Sequence, residues 1–131
     1  MEFLTVAGEV VNAAIEAARS RGVDIAVVVL DPTFTVAAAA RMDGCPKAMY
    51  RVAEAKAYTA LNFGAGSAEM KKLIVMENKA IMQRLDPMLA FLGGGLPITR
   101  EGGVVGAVGV SGGTEEQDVE CARAALSRLA P

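Results

Sequence analysis

Apolar residues recur at helical spacing between about Thr5 and Arg21. Val6, Val10, Ala13, Ala14 and Ala17 fall on one side, and Glu9, Asn12, Glu16 and Arg19 take the other. Gly22 is a natural stop, because helices commonly end on a glycine in the left-handed conformation. The period then changes. Asp24 to Leu30 is a β-branched apolar run, Asp31-Pro32-Thr33 a turn, and Phe34 to Ala40 a second apolar run, so this stretch predicts a β-hairpin. Pro46 suits the first turn of a long helix reaching about Phe63, which Gly64 and Gly66 break. Ser67 can cap a further helical stretch, Ala68 to Leu85, kinked or divided and ended by Asp86-Pro87. A second hairpin follows: strand Leu96 to Arg100, turn Glu101-Gly102-Gly103 and strand Val104 to Val110. Thr114 with Gln117 three residues later matches a capping box. Glu115, Glu116 and Asp118 complement the positive end of a closing helix that runs to about Leu129. Two hairpins separated by helices predict an α+β fold, an antiparallel β-sheet with helices packed on one side of it, rather than a doubly wound parallel sheet.

Composition narrows the function classes. With 131 residues, 53% of them hydrophobic, the chain has the size and apolar content of one domain spanning 1–131 with a real core. No apolar run reaches the roughly 20 residues of a membrane span, and Met1-Glu2-Phe3 lacks the basic start of a signal peptide, so a cytoplasmic protein without membrane contact is expected. A formal charge of -2 gives no large basic field, and six aromatic residues offer little for base stacking, so a nucleic-acid partner is not expected. Cys45 and Cys121 have no metal-like spacing, so free thiols and no metal site are expected. Histidine is absent altogether. This excludes Ser-His and Cys-His catalytic pairs, the usual zinc clusters and haem ligation by a proximal histidine. Any acid or base must be Asp, Glu, Lys, Arg, Tyr or Cys.

Nine of the 14 glycines lie between Gly93 and Gly113, a density that suits positive φ or close backbone approach. Gly93-Gly94-Gly95 is either a nest of amides for an anion or a tight connection before a strand. Gly106 to Ser111 has neither the dinucleotide nor the Walker order. Arg41 and Asp43 flank Met42 at a strand end, where an arginine fork could hold a carboxylate beside a proton-exchanging aspartate, or form a local surface pair. Lys56 sits among alanines on its helix, as a pocket cation or as a solvated side chain. Tyr50 and Tyr58 read as core packing. Met70, Met76, Met82 and Met88, six apart, do not keep one helical face and read as adaptable packing or an oligomer contact.

Taken in order, Asp31, Arg41-Met42-Asp43-Gly44, Ala55-Lys56-Ala57 with Thr59-Ala60, Gly93-Gly94-Gly95-Leu96-Pro97-Ile98, and Gly106 through Gly113 with Glu116-Gln117-Asp118 resemble the GlcG/HbpS family. That family includes haem-binding proteins and the C-terminal domain of PduO-type proteins. The resemblance covers nearly the whole chain. It implies a compact domain with an antiparallel sheet, assembly into homo-oligomers, and a ligand pocket near the Arg41 turn, the Lys56 helix and the triple glycine. Arg41, Asp43 and Lys56 are then the candidate catalytic residues, and Thr59, Gly93, Gly94, Gly95 and Pro97 the candidate ligand-binding ones.

Two activities follow from the resemblance. The first is a cofactor-independent lyase or isomerase of catabolism acting on a small organic acid, including an aromatic one such as a hydroxylaminobenzoate. Arg41 would hold the carboxylate, Lys56 would supply charge or shuttle a proton, Asp43 would orient them, and the glycine amides would stabilise developing negative charge. The alternative is a haem- or tetrapyrrole-binding or haem-degradation accessory protein. Without histidine, its haem would be held through Tyr, Met or Cys, or by its carboxylates alone. A purely structural partner of a neighbouring enzyme is the third expectation.

Overall fold

The two expected hairpins join through their inner strands. In the computed structural model, which describes residues 2–77 and 79–129, the elements run α1 (Phe3–Ser20), β1 (Ala26–Leu30), β2 (Val36–Arg41), α2 (Ala48–Phe63), α3 (Ser67–Met76), α4 (Met82–Leu85), β3 (Gly95–Arg100), β4 (Gly103–Ser111) and α5 (Glu115–Ser127). β1 and β4 pair antiparallel at the centre, Val28 opposite Gly109, giving one four-stranded antiparallel sheet in the order β2-β1-β4-β3. The β3–β4 turn places both Glu101 and Gly102 at positive φ, as a two-residue hairpin connection requires. Pro97 lies in β3, an edge strand, and the register shifts between Ile98 and Thr99.

Helices cover both faces of the sheet, which corrects the expectation of helices on one side. Successive strand residues point to opposite faces. Val27 and Val29 of β1 enter a core with Val6, Val10, Ala14 and Ala18 of α1 and Cys121, Ala122 and Ala125 of α5. Ala26, Val28 and Leu30 enter a second core with Ala53, Ala57 and Ala60 of α2. β1 is consequently buried along all of its length, and a strand covered on both faces reads as a continuous apolar run. Alanines let the helices come close. α2 crosses β4 so tightly that a Cβ on Gly109 would stand 1.9 Å from the Ala53 carbonyl oxygen.

The expected helix from Ala68 to Leu85 is divided into α3 and α4, and position 78 lies outside the described residues. Ser67 is not its cap, because Gly66 occupies that position. The Ser67 hydroxyl instead donates to the Leu92 carbonyl and accepts the Gly95 N–H at 2.8 Å, tying the start of α3 to the triple glycine. The capping box of α5 forms as expected. Gln117 N–H donates to Thr114 Oγ1 at 3.1 Å, and Thr114 N–H to Gln117 Oε1 at 2.9 Å. No helix among the described residues is long and apolar enough to cross a membrane.

Candidate functional site

Lys56 and the glycine bend meet in the interior. α2 carries Lys56 under β4, where its ammonium donates to the Val110 carbonyl at 3.0 Å and to Asp118 Oδ2 at 2.9 Å. Both ionic side chains are almost fully buried, Lys56 at 2% exposure and Asp118 at 2%. The other Asp118 oxygen accepts the Gly113 N–H at 2.9 Å, so the carboxylate closes the Gly112-Gly113 turn onto α5. Gly94 passes over the pair with φ +129, and a Cβ there would reach 2.4 Å from the Val110 carbonyl oxygen and 3.0 Å from Lys56 Nζ. Glycine is needed here both for its conformation and for the space. Two amides of the bend are engaged within the chain: Gly93 N–H donates to Glu115 Oε1 and Gly95 N–H to Ser67 Oγ.

Arg41 and Asp43 stand elsewhere. They line a hollow of about 390 Å³ with Ile15, Arg19, Asp24, Met42 and Gly44, and neither Lys56 nor the triple glycine borders it. The Arg41 guanidinium caps the Cys45 carbonyl. Burial raises the pKa of the Cys45 thiol, and the charge of Arg41 works against that rise. Thr59 is fully buried. Its hydroxyl donates to Ala55 and accepts the Ala90 N–H at 2.8 Å, so it anchors the chain leading into the bend. Tyr58 packs its ring on Phe34 and donates to Asp86, and that hydrogen bond is the main reason its phenol is pushed up from its ordinary value. Pro97 is half-buried in the edge strand, paired with Ala107.

A further hollow among the described residues lies between α3 and α5 and was not anticipated from the sequence. It holds about 690 Å³. Ala68, Val75, Met76 and Val119 supply apolar surface, Gly93 borders it, and Lys71, Lys72, Arg123, Glu115, Glu116 and Glu120 line it as well. Lys71 pairs with Glu115 at 2.9 Å, and Glu120 pairs with Arg21 at 3.2 Å. The hydrogen bond from Lys71, then that from the Gly93 amide, holds the Glu115 carboxyl below its ordinary range. Among the described residues the side chains of Lys72 and Arg123 make no ion pair or hydrogen bond. Setting the two pairs aside, Lys72, Arg123 and Glu116 leave the groove one positive charge in excess. Its signal in the sequence was faint: Ala68, Lys71, Lys72, Val75 and Met76 share one face of α3, as Glu116, Val119, Glu120 and Arg123 share one face of α5.

Residues 4–127 match the family model described as haem degrading protein HbpS-like. The chain belongs to this HbpS-like family. Its fold is shared with a crystal structure of a Streptomyces reticuli HbpS double mutant, 31% identical, with a TM-score of 0.90 over 98% of this chain and 86% of that one. The same TM-score, 0.90, relates it to PduOC crystallised in complex with heme, 25% identical over 98% and 94% of the two chains. In sequence it is 27% identical over 124 residues to the corrinoid adenosyltransferase PduO of Salmonella typhimurium, covering 92% of this chain and 37% of that enzyme. The chain spans about half the length or less of the curated relatives it matches.

Proposed function

We propose that this HbpS-like protein is a haem- or tetrapyrrole-binding module and that the groove between α3 and α5 receives the ring. The observation that carries the reading is the groove. At about 690 Å³ it falls within the ~300–1,000 Å³ of cofactor-sized pockets. A tetrapyrrole asks for apolar walls on its faces and cations for its carboxylates. Val75, Met76, Val119 and Ala68 offer the walls, and Lys72 and Arg123 offer positive charge that no carboxylate among the described residues engages. The residues present therefore fit the group. Iron-centred ligand and redox chemistry is what haem would supply once bound. The chain's own part is to hold the ring, to pair its carboxylates with Lys72 and Arg123, and to keep the Gly93 wall in place through Glu115 and Lys71. The likeness to PduOC, whose structure contains heme, supports the same reading.

The lyase reading requires Arg41, Asp43 and Lys56 around one substrate. Within the chain Lys56 is buried against Asp118 while Arg41 and Asp43 line a different hollow, so the binding reading is preferred. Both thiols are free, which suits a reducing cytoplasm, and the exposure of Leu85 at 80% and Ile81 at 59% suits a homo-oligomer.

Titration with haemin tests the proposal. A saturable Soret shift at one haemin per chain is expected, weakened in Lys72→Ala/Arg123→Ala. No shift beyond that of an unrelated protein would overturn it.

A further inference from the structure

α3 and α4 bury one side and leave the other bare. Met70 and Ile74 of α3 and Met82 of α4 turn inwards onto Leu89 and Phe91. Leu73, Val75 and Met76 of α3, Ile81 at the cap of α4 and Leu85 at its end stay exposed, from 44% for Leu73 to 83% for Met76. Five large apolar side chains this bare, all between Leu73 and Leu85, present on the order of several hundred Å² to water, against ~300–600 Å² for the largest apolar patch of a typical monomer. One partner of a standard stable interface contributes ~800 Å² in all, apolar core and polar rim together. The face is therefore of the size that a stable contact between two chains uses.

Charge then selects the occupant. Val75 and Met76 also border the α3–α5 groove, whose lining sets the cations of Lys71, Lys72 and Arg123 against the carboxylates of Glu115, Glu116 and Glu120. Glu77 and Lys79, between the two helices, pair with each other at 3.5 Å. An anionic lipid surface selects a cationic rim, and a strongly charged protein partner selects a rim of one sign. A rim that carries both signs equally matches itself, because a two-fold axis sets cations of one copy against carboxylates of the other. A head-to-tail contact would need a second apolar patch. Among the described residues the other exposed large apolar side chains, Leu4, Phe34, Phe63, Leu92 and Val104, come singly from separate segments. We infer that the outer face of α3 and α4 is a self-complementary interface on which a second copy of this chain docks across a two-fold axis. The inference gives the homo-oligomer a face and a symmetry, and it does not depend on haem. Val75 and Met76 belong to both surfaces, so the second copy also covers the solvent-facing edge of the groove.

Analytical ultracentrifugation of the haemin-free protein over a range of micromolar concentrations tests it. The wild type is expected to sediment as a dimer or an even multiple of one. Val75→Lys/Leu85→Lys is expected to fall to half that mass or less, its dissociation constant raised at least ~10-fold by the loss of two buried apolar side chains. Both positions are solvated in the single chain, so the fold is retained, which circular dichroism checks, and Val75→Ser/Leu85→Ser repeats the test with uncharged side chains. Leu4→Lys, at a position 60% exposed on α1, is expected to keep the wild-type mass. A wild type that stays monomeric at every concentration, or double variants that keep the wild-type mass, would overturn the inference. Co-sedimentation of a monomeric wild type with anionic vesicles would give the face to lipid instead. The absence of a Soret shift with haemin would leave the dimer standing, and a monomeric wild type would leave haem binding standing, so the two readings fail separately.

Discussion

Replacing Lys56 by methionine tests the description of the interior most severely. The substitution keeps most of the aliphatic stem and removes one ammonium from a site exposed to 2%. Two acceptors lose their donor, the Val110 carbonyl and Asp118 Oδ2, and the Asp118 carboxylate is left buried with the Gly113 amide as its remaining partner. Breaking a buried pair in this way costs about 3–5 kcal/mol, because the charge left behind is uncompensated. An exposed pair would cost roughly 0–1 kcal/mol. With an unfolding entropy near 2.1 cal/mol/K per residue, the loss corresponds to a fall in Tm of roughly 10–18 °C for a chain of this size. Urea and thermal unfolding of Lys56→Met would measure it. Adding Asp118→Asn removes the stranded charge while keeping an oxygen for Gly113 N–H, so Lys56→Met/Asp118→Asn should be more stable than Lys56→Met alone. A loss below about 1 kcal/mol in the single variant, or no recovery in the double one, would refute the buried pair.

Two further expectations concern the sheet and the groove. Gly109→Ala puts a methyl 1.9 Å from the Ala53 carbonyl oxygen and 2.7 Å from Ala57 N, both backbone. It should destabilise by about 3 kcal/mol or more, read as a lower urea midpoint, and a near-native midpoint would mean that α2 does not seat on β4 so closely. Glu115 titrates below its ordinary value of 4.5 when folded. Its contribution is therefore complete above that value and is lost as pH falls through the lower folded pKa. Glu115→Gln should flatten the loss of stability below about pH 4.5, and an unchanged acid limb would remove the Lys71 and Gly93 contacts as its cause.

Local order was readable in the residue pattern, and long-range meeting points were not. The period of α1, both hairpins and the Thr114 box depend on neighbours within a few residues, and each is found close to where it was expected. The unbroken run from Ile25 to Leu30 already held the sign of a strand covered on both faces, yet hairpin topology alone suggested helices on one side. Ser67 looked like a cap because its partner, the Gly95 amide, is 28 residues away. Asp118 read as one more acid at a helix start. Only the crossing of α2 beneath β4 brings Lys56 to it over a separation of 62 residues. The family motifs marked Lys56 and the glycine bend, which do adjoin. They also held Gly93 and Glu116 of the α3–α5 groove, but the rest of its polar lining consists of common surface residue types set by two helices that are distant in sequence.

The outer strands of the sheet have a bearing on how copies of this protein can come together. β3 offers Pro97, which has no amide hydrogen to donate, and a break in register after Ile98. The pairing of β1 with β2 is also irregular, between Val29 and Leu30. A neighbouring chain seeking to extend the sheet finds neither rim straight or fully donating, which discourages fibre growth by strand addition. Helical surfaces are then the more favourable ground for contact between copies, and a mutation that straightens a rim would be the one to watch for precipitation.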